Sequence, residues 1–188
     1  MSTLHIFDFD DTLVRSDSMV RVHHHDGTET EMDSGEFASY VEQPGDVFDF
    51  DDFDDYPPNA ELIEQVFAEL QSSLALDGPN NVVILTARSN PQPVREFLSD
   101  MGIKGIDIVA TGTSNPMAKA RYVLDRVNTG TFDEVRVFED NAQNIRTIRK
   151  VVEPTGVKLQ SNRVTSRGVI SEGRQIGSAY SPWDFANL

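Results

Sequence analysis

Short apolar strand patterns alternate with longer helical patterns along most of this chain, and this alternation restricts the fold more than any other feature. The strand patterns are rich in Val and Ile, as buried parallel strands are, and cover Thr3 to Phe9, Asn81 to Thr86, Ile106 to Ala110 and Glu134 to Phe138. The helical patterns cover Ala60 to Leu76, Pro91 to Met101, a segment opened by Asn115 and Pro116, and Ala142 to Val152. The alternation predicts an α/β fold with right-handed crossovers and a doubly wound, Rossmann-like parallel sheet.

The length and composition favour a single domain over residues 1–188. The chain has 188 residues, of which 38% are hydrophobic, enough for one sizeable core with a small insertion or tail. No apolar run approaches the roughly 20 residues that span a bilayer, and the first residues lack a leader pattern, so we expect a cytoplasmic protein with no membrane contact. The chain has 0 cysteines, which excludes disulfides and thiolate metal sites.

The charge of the chain argues against general nucleic-acid binding. The sequence has 31 acidic and 16 basic residues, which gives a formal net charge of -15. This charge repels polyanions at long range unless a local basic patch overrides it.

A charge-dense FDFDD string occurs twice, and its surroundings distinguish the two copies. The first copy directly follows the first predicted strand, so Asp8 and Asp10 fall at a carboxyl end, where ligands bind in open α/β sheets. The second copy, at residues 47–55, follows a Pro-Gly turn signal and precedes the longest helical pattern. We interpret it as a solvated acidic loop attached to the body by Phe48, Phe50 and Phe53. A second cation site is the alternative.

Other polar residues are expected to meet the first copy. Thr86 ends the second predicted strand, Glu139 and Asp140 end the fourth, and Lys119 lies in the first turn of a helix. Because the carboxyl ends of parallel strands lie at one edge of the sheet, we expect these groups to converge on a single crevice.

Four segments together resemble the motifs of the haloacid dehalogenase (HAD) superfamily of phosphotransferases. FDFDDTLV, with Asp8, Asp10 and Thr12, resembles the first motif; VILTAR at residues 83–88 resembles the second; Lys119 resembles the third; and VFEDN at residues 137–141 resembles the fourth. The resemblance covers about residues 3 to 150, and the order and spacing of the four segments make it specific.

The resemblance implies a Mg²⁺-dependent phosphatase that works through an aspartyl phosphate. Asp8 is then the nucleophile, Asp10 the general acid and base, and Thr12 the residue that orients Asp10. Thr86 and Lys119 are expected to stabilise the phosphoryl group, and Arg88 to reach the substrate. The implied metal ligands are Asp8, the backbone carbonyl of Asp10, Glu139 directly or through water, and Asp140. Lys119 could instead be a solvated helix lysine, with Arg88 or Arg121 supplying the charge, and Thr86 could be a plain strand terminus.

The presence of Asp10 narrows the implied chemistry. Superfamily members that hydrolyse phosphate esters carry an aspartate two positions after the nucleophile, whereas the dehalogenases lack it. The sequence therefore favours a hydrolase acting on phosphate monoesters over a dehalogenase.

The only candidate for a substrate-selecting cap is the insertion at residues 15–58. Val20 to His25 and Thr28 to Met32 flank Asp26 and Gly27, which predicts a β-hairpin with a type I′ turn, followed by a short helical or irregular piece around Ser34 to Val41. His23, His24 and His25 on this hairpin are interpreted as exposed histidines, with a substrate or metal contact as the alternative.

The remaining segment, 153–188, has no counterpart in the resemblance. VKLQSNRVTSRGVI predicts one or two strands, and SAYSPWDFANL an aromatic tail that packs on the body or on a partner. Arg163, Arg167 and Arg174 give it a mild positive charge, which keeps a nucleic-acid end open as a substrate.

Three functions follow as alternatives. They are a phosphatase for small phosphate monoesters, a polynucleotide 3′-phosphatase, and a catalytically silent binding module of the same fold. The small cap leaves room for a bulky substrate, or for a small one closed over by a second subunit in a homo-oligomer.

Overall fold

The computed structural model describes residues 2–37, 40–165 and 167–171 of the chain, and these contain eleven strands and five α-helices. The strands are β1 (Thr3–Phe7), β2 (Val14–Arg15), β3 (Val20–His23), β4 (Glu29–Met32), β5 (Val47–Asp49), β6 (Glu61–Leu62), β7 (Val82–Thr86), β8 (Asp107–Ala110), β9 (Glu134–Glu139), β10 (Lys158–Thr165) and β11 (Gly168–Ser171). The helices are α1 (Ser34–Phe37), α2 (Glu64–Asp77), α3 (Gln92–Asp100), α4 (Pro116–Asn128) and α5 (Ala142–Val152).

A six-stranded, mostly parallel sheet forms the centre of the structure. Its strand order is β11-β10-β9-β1-β7-β8, and only β11 pairs antiparallel to its neighbour. β1 lies between β7 and β9 and runs parallel to both. The predicted α/β class with a parallel sheet is confirmed, and the sheet with its flanking helices is consistent with a Rossmann-like fold.

Helices cover both faces of this sheet because the central strands alternate their side chains between two cores. Leu4 and Ile6 of β1 pack in one core with residues of α4 and α5. Phe7 of β1 packs in the other core with residues of α2 and α3. Both faces of β1 are therefore buried, which explains its continuous apolar pattern in the sequence.

The starts of α4 and α2 differ in how far the local sequence determines them. Asn115 is the N-cap of α4, and its side chain accepts a hydrogen bond from the N–H of Met117, with Pro116 in the first turn, as predicted. The predicted helix from Ala60 is wrong at its start, because β6 pairs antiparallel with β2 and α2 begins only at Glu64. The main-chain N–H of Ile63 also donates to the carbonyl of Leu13, which holds this segment extended.

The insertion after β1 contains a small antiparallel sheet. Its strand order is β4-β3-β5, with β3 and β4 forming a hairpin. The predicted type I′ turn does not form, because that turn needs two positive φ angles and only Gly27 has one, at 83°. The N–H of Gly27 instead donates to the carbonyl of His24, which gives a three-residue loop.

The second FDFDD copy is more ordered than a solvated loop. Its first residues form β5, which pairs with β3, and residues Asp51–Phe53 form one turn of 3₁₀ helix. Phe53 is buried, as expected, whereas Phe50 is 43% exposed.

The end of the described chain extends the central sheet. β10 runs parallel to β9, and β11 returns antiparallel to β10, so the two-strand alternative for this segment is confirmed. The aromatic tail and Arg174 lie outside the described residues. Within the described ranges, none of the helices combines the length and apolar character needed to cross a membrane.

A buried histidine ties β1 to α2. The Nε2 atom of His5 lies 2.7 Å from a carboxylate oxygen of Asp77, and its Nδ1 atom lies 3.0 Å from the hydroxyl of Ser73. Both ring nitrogens are thus satisfied within a side chain that is 3% exposed.

We expect Ser73→Ala to lower the free energy of unfolding by about 1–3 kcal/mol, because it leaves the buried Nδ1 atom of His5 without a partner. Ser72→Ala, at an exposed position of the same helix, is the matched control and should change it by less than about 0.5 kcal/mol. Urea denaturation measures both values. Equal losses in the two variants would contradict a stabilising role for the His5 hydrogen bonds.

Candidate active site

The carboxyl ends of three adjacent strands bring the predicted site residues together. Asp8 directly follows β1, and its N–H donates to the carbonyl of Phe138 in β9 over 3.0 Å. Glu139 is the last residue of β9, and Thr86 is the last residue of β7. The three strand ends that carry Asp8, Thr86 and Glu139 are therefore adjacent, as expected from the parallel sheet.

A tight turn after β1 brings the chain back toward the strand end. The carbonyl of Phe9 accepts hydrogen bonds from the main-chain N–H groups of Thr12, Leu13 and Val14. Asp11 adopts a positive φ of 55° within this turn, a conformation that Asp tolerates better than most residues. Its carboxylate accepts a hydrogen bond from the hydroxyl of Ser34, at the start of α1 in the insertion.

A buried lysine joins two of the acids. The Nζ atom of Lys119 lies 2.7 Å from a carboxylate oxygen of Asp8 and 2.8 Å from one of Glu139. The Lys119 side chain is 4% exposed, so the alternative of a solvated helix lysine is wrong. Lys119 is within hydrogen-bonding reach of Asp8, the predicted nucleophile, as its expected role beside that residue needs.

Thr12 contacts different acids from the one expected. Its hydroxyl lies 3.3 Å from a carboxylate oxygen of Asp8 and 3.4 Å from one of Asp140, and it accepts the N–H of Asp140 over 3.1 Å. Among the described residues, no hydrogen bond joins Thr12 to Asp10. Thr12 thus connects the turn after β1 to the end of β9 and does not orient Asp10.

The cluster has more carboxylates than its single ammonium can neutralise. Burial, and then the charge of Glu139, raise the pKa of Asp8 to about 6, although Lys119 acts in the opposite direction. Burial, and then the charges of Asp8 and Glu139, raise the pKa of Asp140 to about 9. Burial disfavours the charged form of Lys119, but the two neighbouring carboxylates outweigh it and raise its pKa.

The same three acids form a group that could hold a metal ion. Asp8, Glu139 and Asp140 each offer a carboxylate oxygen, and these three oxygens lie within 4.8 Å of one another. Hard oxygen donors of this kind suit Mg²⁺, and a divalent cation would offset the negative charge that, after burial, raises the pKa of Asp8 and of Asp140. Glu139 belongs to this group of three acids and also forms an ion pair with Lys119.

Arg88 lies in the site but is fully occupied by protein groups. Its Nη2 and Nε atoms donate to the two carboxylate oxygens of Asp10 over 2.7 and 2.9 Å. Its Nη1 atom donates to the carbonyls of Phe53 and Asp55 over 2.8 and 3.2 Å. The Arg88 side chain is 1% exposed, so the structure gives no support to the substrate contact predicted for it.

Sequence reasoning missed the part of the insertion that contacts Arg88. The groups that bind Nη1 are backbone carbonyls of the second FDFDD copy. Because every residue has a carbonyl, no residue type or spacing could indicate that these two face the site. The acidic side chains of this copy serve local contacts: Asp52 accepts from the N–H of Met19 and from Arg21, and Asp54 accepts from Ser89.

The three histidines of the hairpin do not form a metal site with one another. His23 pairs with Glu29 at 2.7 Å, and His24 lies 2.8 Å from Asp46 and 2.9 Å from Thr30. In the part of the chain that the structure describes, the only group suited to a metal is the one formed by Asp8, Glu139 and Asp140.

Comparison with known proteins adds no family assignment. Protein-family models, curated proteins and solved structures give no match to this chain. The site must therefore be interpreted from its own geometry, together with the motif resemblance.

The raised aspartate pKa values predict an unusual pH dependence of stability in EDTA. Above about pH 4 the unfolded chain has lost the proton of Asp140, whereas the folded protein keeps it up to about pH 9. Since the folded state then binds more protons, the free energy of unfolding should fall as pH rises between these values. Asp140→Asn should reduce the slope, as measured by urea denaturation from pH 5 to pH 9. Equal slopes in the two proteins would contradict the shift.

Proposed function

We propose that this protein is a Mg²⁺-dependent phosphatase of the HAD type, which hydrolyses phosphate monoesters through an aspartyl phosphate. The observation that carries the proposal is the arrangement around Asp8. Its carboxylate is bound by Lys119 and lies within 4.8 Å of the carboxylates of Glu139 and Asp140, with a second aspartate, Asp10, two residues further along the chain. The motif resemblance of the four segments supports the same assignment.

In the first step, a carboxylate oxygen of Asp8 attacks the phosphorus atom of the ester. The bond between phosphorus and the alkoxide oxygen breaks, and Asp10 gives its proton to that oxygen. Burial raises the pKa of Asp10, although Arg88 partly opposes this shift, so a protonated carboxyl is favoured relative to an exposed aspartate.

In the second step, water attacks the phosphorus atom of the aspartyl phosphate. Asp10 removes a proton from that water, and the bond from phosphorus to Asp8 breaks to release inorganic phosphate. The free carboxylate of Asp8 is thereby restored.

The remaining residues offset charge. The ammonium of Lys119 is placed to reduce the repulsion between Asp8 and an anionic ester. The hydroxyl of Thr86 accepts the N–H of Arg88 over 3.2 Å, and Thr86 is 0% exposed, so the contact with a phosphoryl oxygen that was expected for it has no support in the structure. Asp8, Glu139, Asp140 and the carbonyl of Asp10 would hold Mg²⁺, which when bound neutralises phosphate oxygens and allows the anionic nucleophile to approach.

A small phosphate monoester is the substrate class that the charge of the chain favours. The net charge of -15 opposes the long-range approach of a polynucleotide. A 3′-phosphorylated end stays the alternative because of one local cation: Arg163 lies in β10, with its Nε atom 3.4 Å from the carbonyl of Asp140. A substrate panel that includes 3′-phosphorylated oligonucleotides, assayed at several salt concentrations, distinguishes a small phosphate monoester from a polynucleotide end. The affinity for an oligonucleotide substrate should fall steeply as the salt concentration rises.

Asp8→Asn is expected to lower turnover of p-nitrophenyl phosphate by at least about 10³-fold, because the amide cannot act as the nucleophile. EDTA should abolish turnover of the wild-type protein, and added Mg²⁺ should restore it.

Asp125→Asn is the matched control for this substitution. It makes the same chemical change at an exposed position of α4 and should leave turnover unchanged. Wild-type protein without phosphatase activity, or an Asp8→Asn variant with full activity, would refute the proposed function and leave a binding module as the alternative.

A further inference from the structure

Arg88 connects two parts of the chain that the proposed mechanism treats separately. One edge of its guanidinium binds both carboxylate oxygens of Asp10, at 2.7 and 2.9 Å. Its Nη1 atom binds the carbonyls of Phe53 and Asp55 in the insertion. A single buried side chain therefore ties the turn after β1 to the insertion.

The guanidinium is also fixed in its plane. Its central carbon lies over two aromatic rings, 5.3 Å from the ring centroid of Phe9 and 5.2 Å from that of Phe53. Its main-chain N–H donates to the hydroxyl of Thr86. Because both its position and its orientation are constrained, Arg88 can transmit a defined orientation to the group that it binds.

The bidentate geometry determines what Arg88 does to Asp10. Two parallel hydrogen bonds from one guanidinium fix both the location and the plane of a carboxylate, which a lysine cannot do with its single charged nitrogen. A general acid must hold its oxygen within hydrogen-bonding reach of the leaving group, and small displacements of such a group reduce rates strongly. The Asp10 side chain remains 17% exposed, so Arg88 does not enclose it completely.

The segment that binds Arg88 is itself held in place. Asp52 accepts hydrogen bonds from the N–H of Met19 and from Arg21, both over 3.1 Å, and Asp54 accepts one from Ser89 over 2.6 Å. The second FDFDD copy thus supplies backbone acceptors for Arg88, while its carboxylates anchor the segment to the insertion and to the residue after Arg88.

We propose that Arg88 is a positioning residue, which orients the Asp10 carboxyl toward the leaving-group oxygen and fixes that orientation through the backbone of residues 53–55. This inference rests on the proposed phosphatase function, in which Asp10 transfers the proton. It replaces the substrate contact that the sequence suggested for Arg88. It also gives the second FDFDD copy a role in the site that does not require a second cation.

The test compares Arg88→Gln with the wild-type protein on two substrates in the presence of Mg²⁺. An alkyl phosphate needs a proton on its leaving oxygen, whereas p-nitrophenolate leaves readily without one. Because Asp10 is also the base of the second step, which both substrates share, the comparison uses the first step, measured as the rate of leaving-group release in a single turnover. We expect this rate to fall about 10–100-fold on the alkyl phosphate and less than about 3-fold on p-nitrophenyl phosphate, with the half-saturating substrate concentration changed by less than about 2-fold on either. A substrate-binding role would instead raise the half-saturating concentration, and a general loss of structure would lower the first-step rate on both substrates alike.

Two further variants connect the effect to Asp10. Arg88→Lys keeps the charge and loses the bidentate geometry, so it should recover only part of the first-step rate on the alkyl phosphate. The double variant Asp10→Asn/Arg88→Gln should be no slower than Asp10→Asn alone, because Arg88 acts through Asp10. Circular dichroism and thermal unfolding verify that each variant is folded. If Arg88→Gln does not fold, the comparison is made with Arg88→Lys.

Arg136→Gln is the matched control. It makes the same substitution at an arginine that pairs with Glu69 at 3.3 Å, away from Asp10, and it should leave the ratio of the two substrates unchanged.

The outcomes separate this inference from the function on which it rests. Wild-type protein without turnover refutes both. Turnover that depends on Asp8, combined with equal losses of the first-step rate on the two substrates, a raised half-saturating concentration, or additive losses in the double variant, refutes the role of Arg88 alone.

Discussion

The buried contact of Lys119 with Asp8 and Glu139 is the interaction on which the rest of the site depends. Two buried carboxylates at adjacent strand ends would repel one another without a cation between them. One ammonium neutralises part of this charge, but Asp140 adds a third carboxylate within 4.8 Å of the other two. The folded protein therefore retains an excess of negative charge at one point. Burial first, and then this excess, raise the pKa of Asp8 and of Asp140, and the excess suits a divalent cation.

The parallel sheet makes this concentration of charge possible. Because β7, β1 and β9 are adjacent and run in the same direction, their carboxyl ends lie at one edge, and the residues that follow them meet. The cores on both faces hold the strands rigidly, so acids far apart in sequence are fixed close to one another. The energy that keeps them together comes from the burial of apolar side chains elsewhere in the domain.

The insertion contributes to the site through its backbone. Arg88 binds Asp10 on one side and the carbonyls of residues 53 and 55 on the other. A change in the position of the insertion would therefore be transmitted to Asp10. The two FDFDD copies, which look equivalent in the sequence, serve different purposes: the first supplies Asp8 and Asp10 to the site, and the second supplies carbonyl acceptors for Arg88 and carboxylates that anchor its own segment.

The sequence by itself determined the fold class, most of the strands and helices, and the meeting of Asp8, Lys119, Glu139 and Asp140. These features depend on periodicity and on the rule that parallel strands end at one edge, both of which are local or topological. Only the tertiary structure decided the partners of Thr12 and Arg88, the late start of α2, and the turn type of the hairpin. These depend on distances between segments remote in sequence and on backbone carbonyls, which every residue carries, so no pattern of residue types records them.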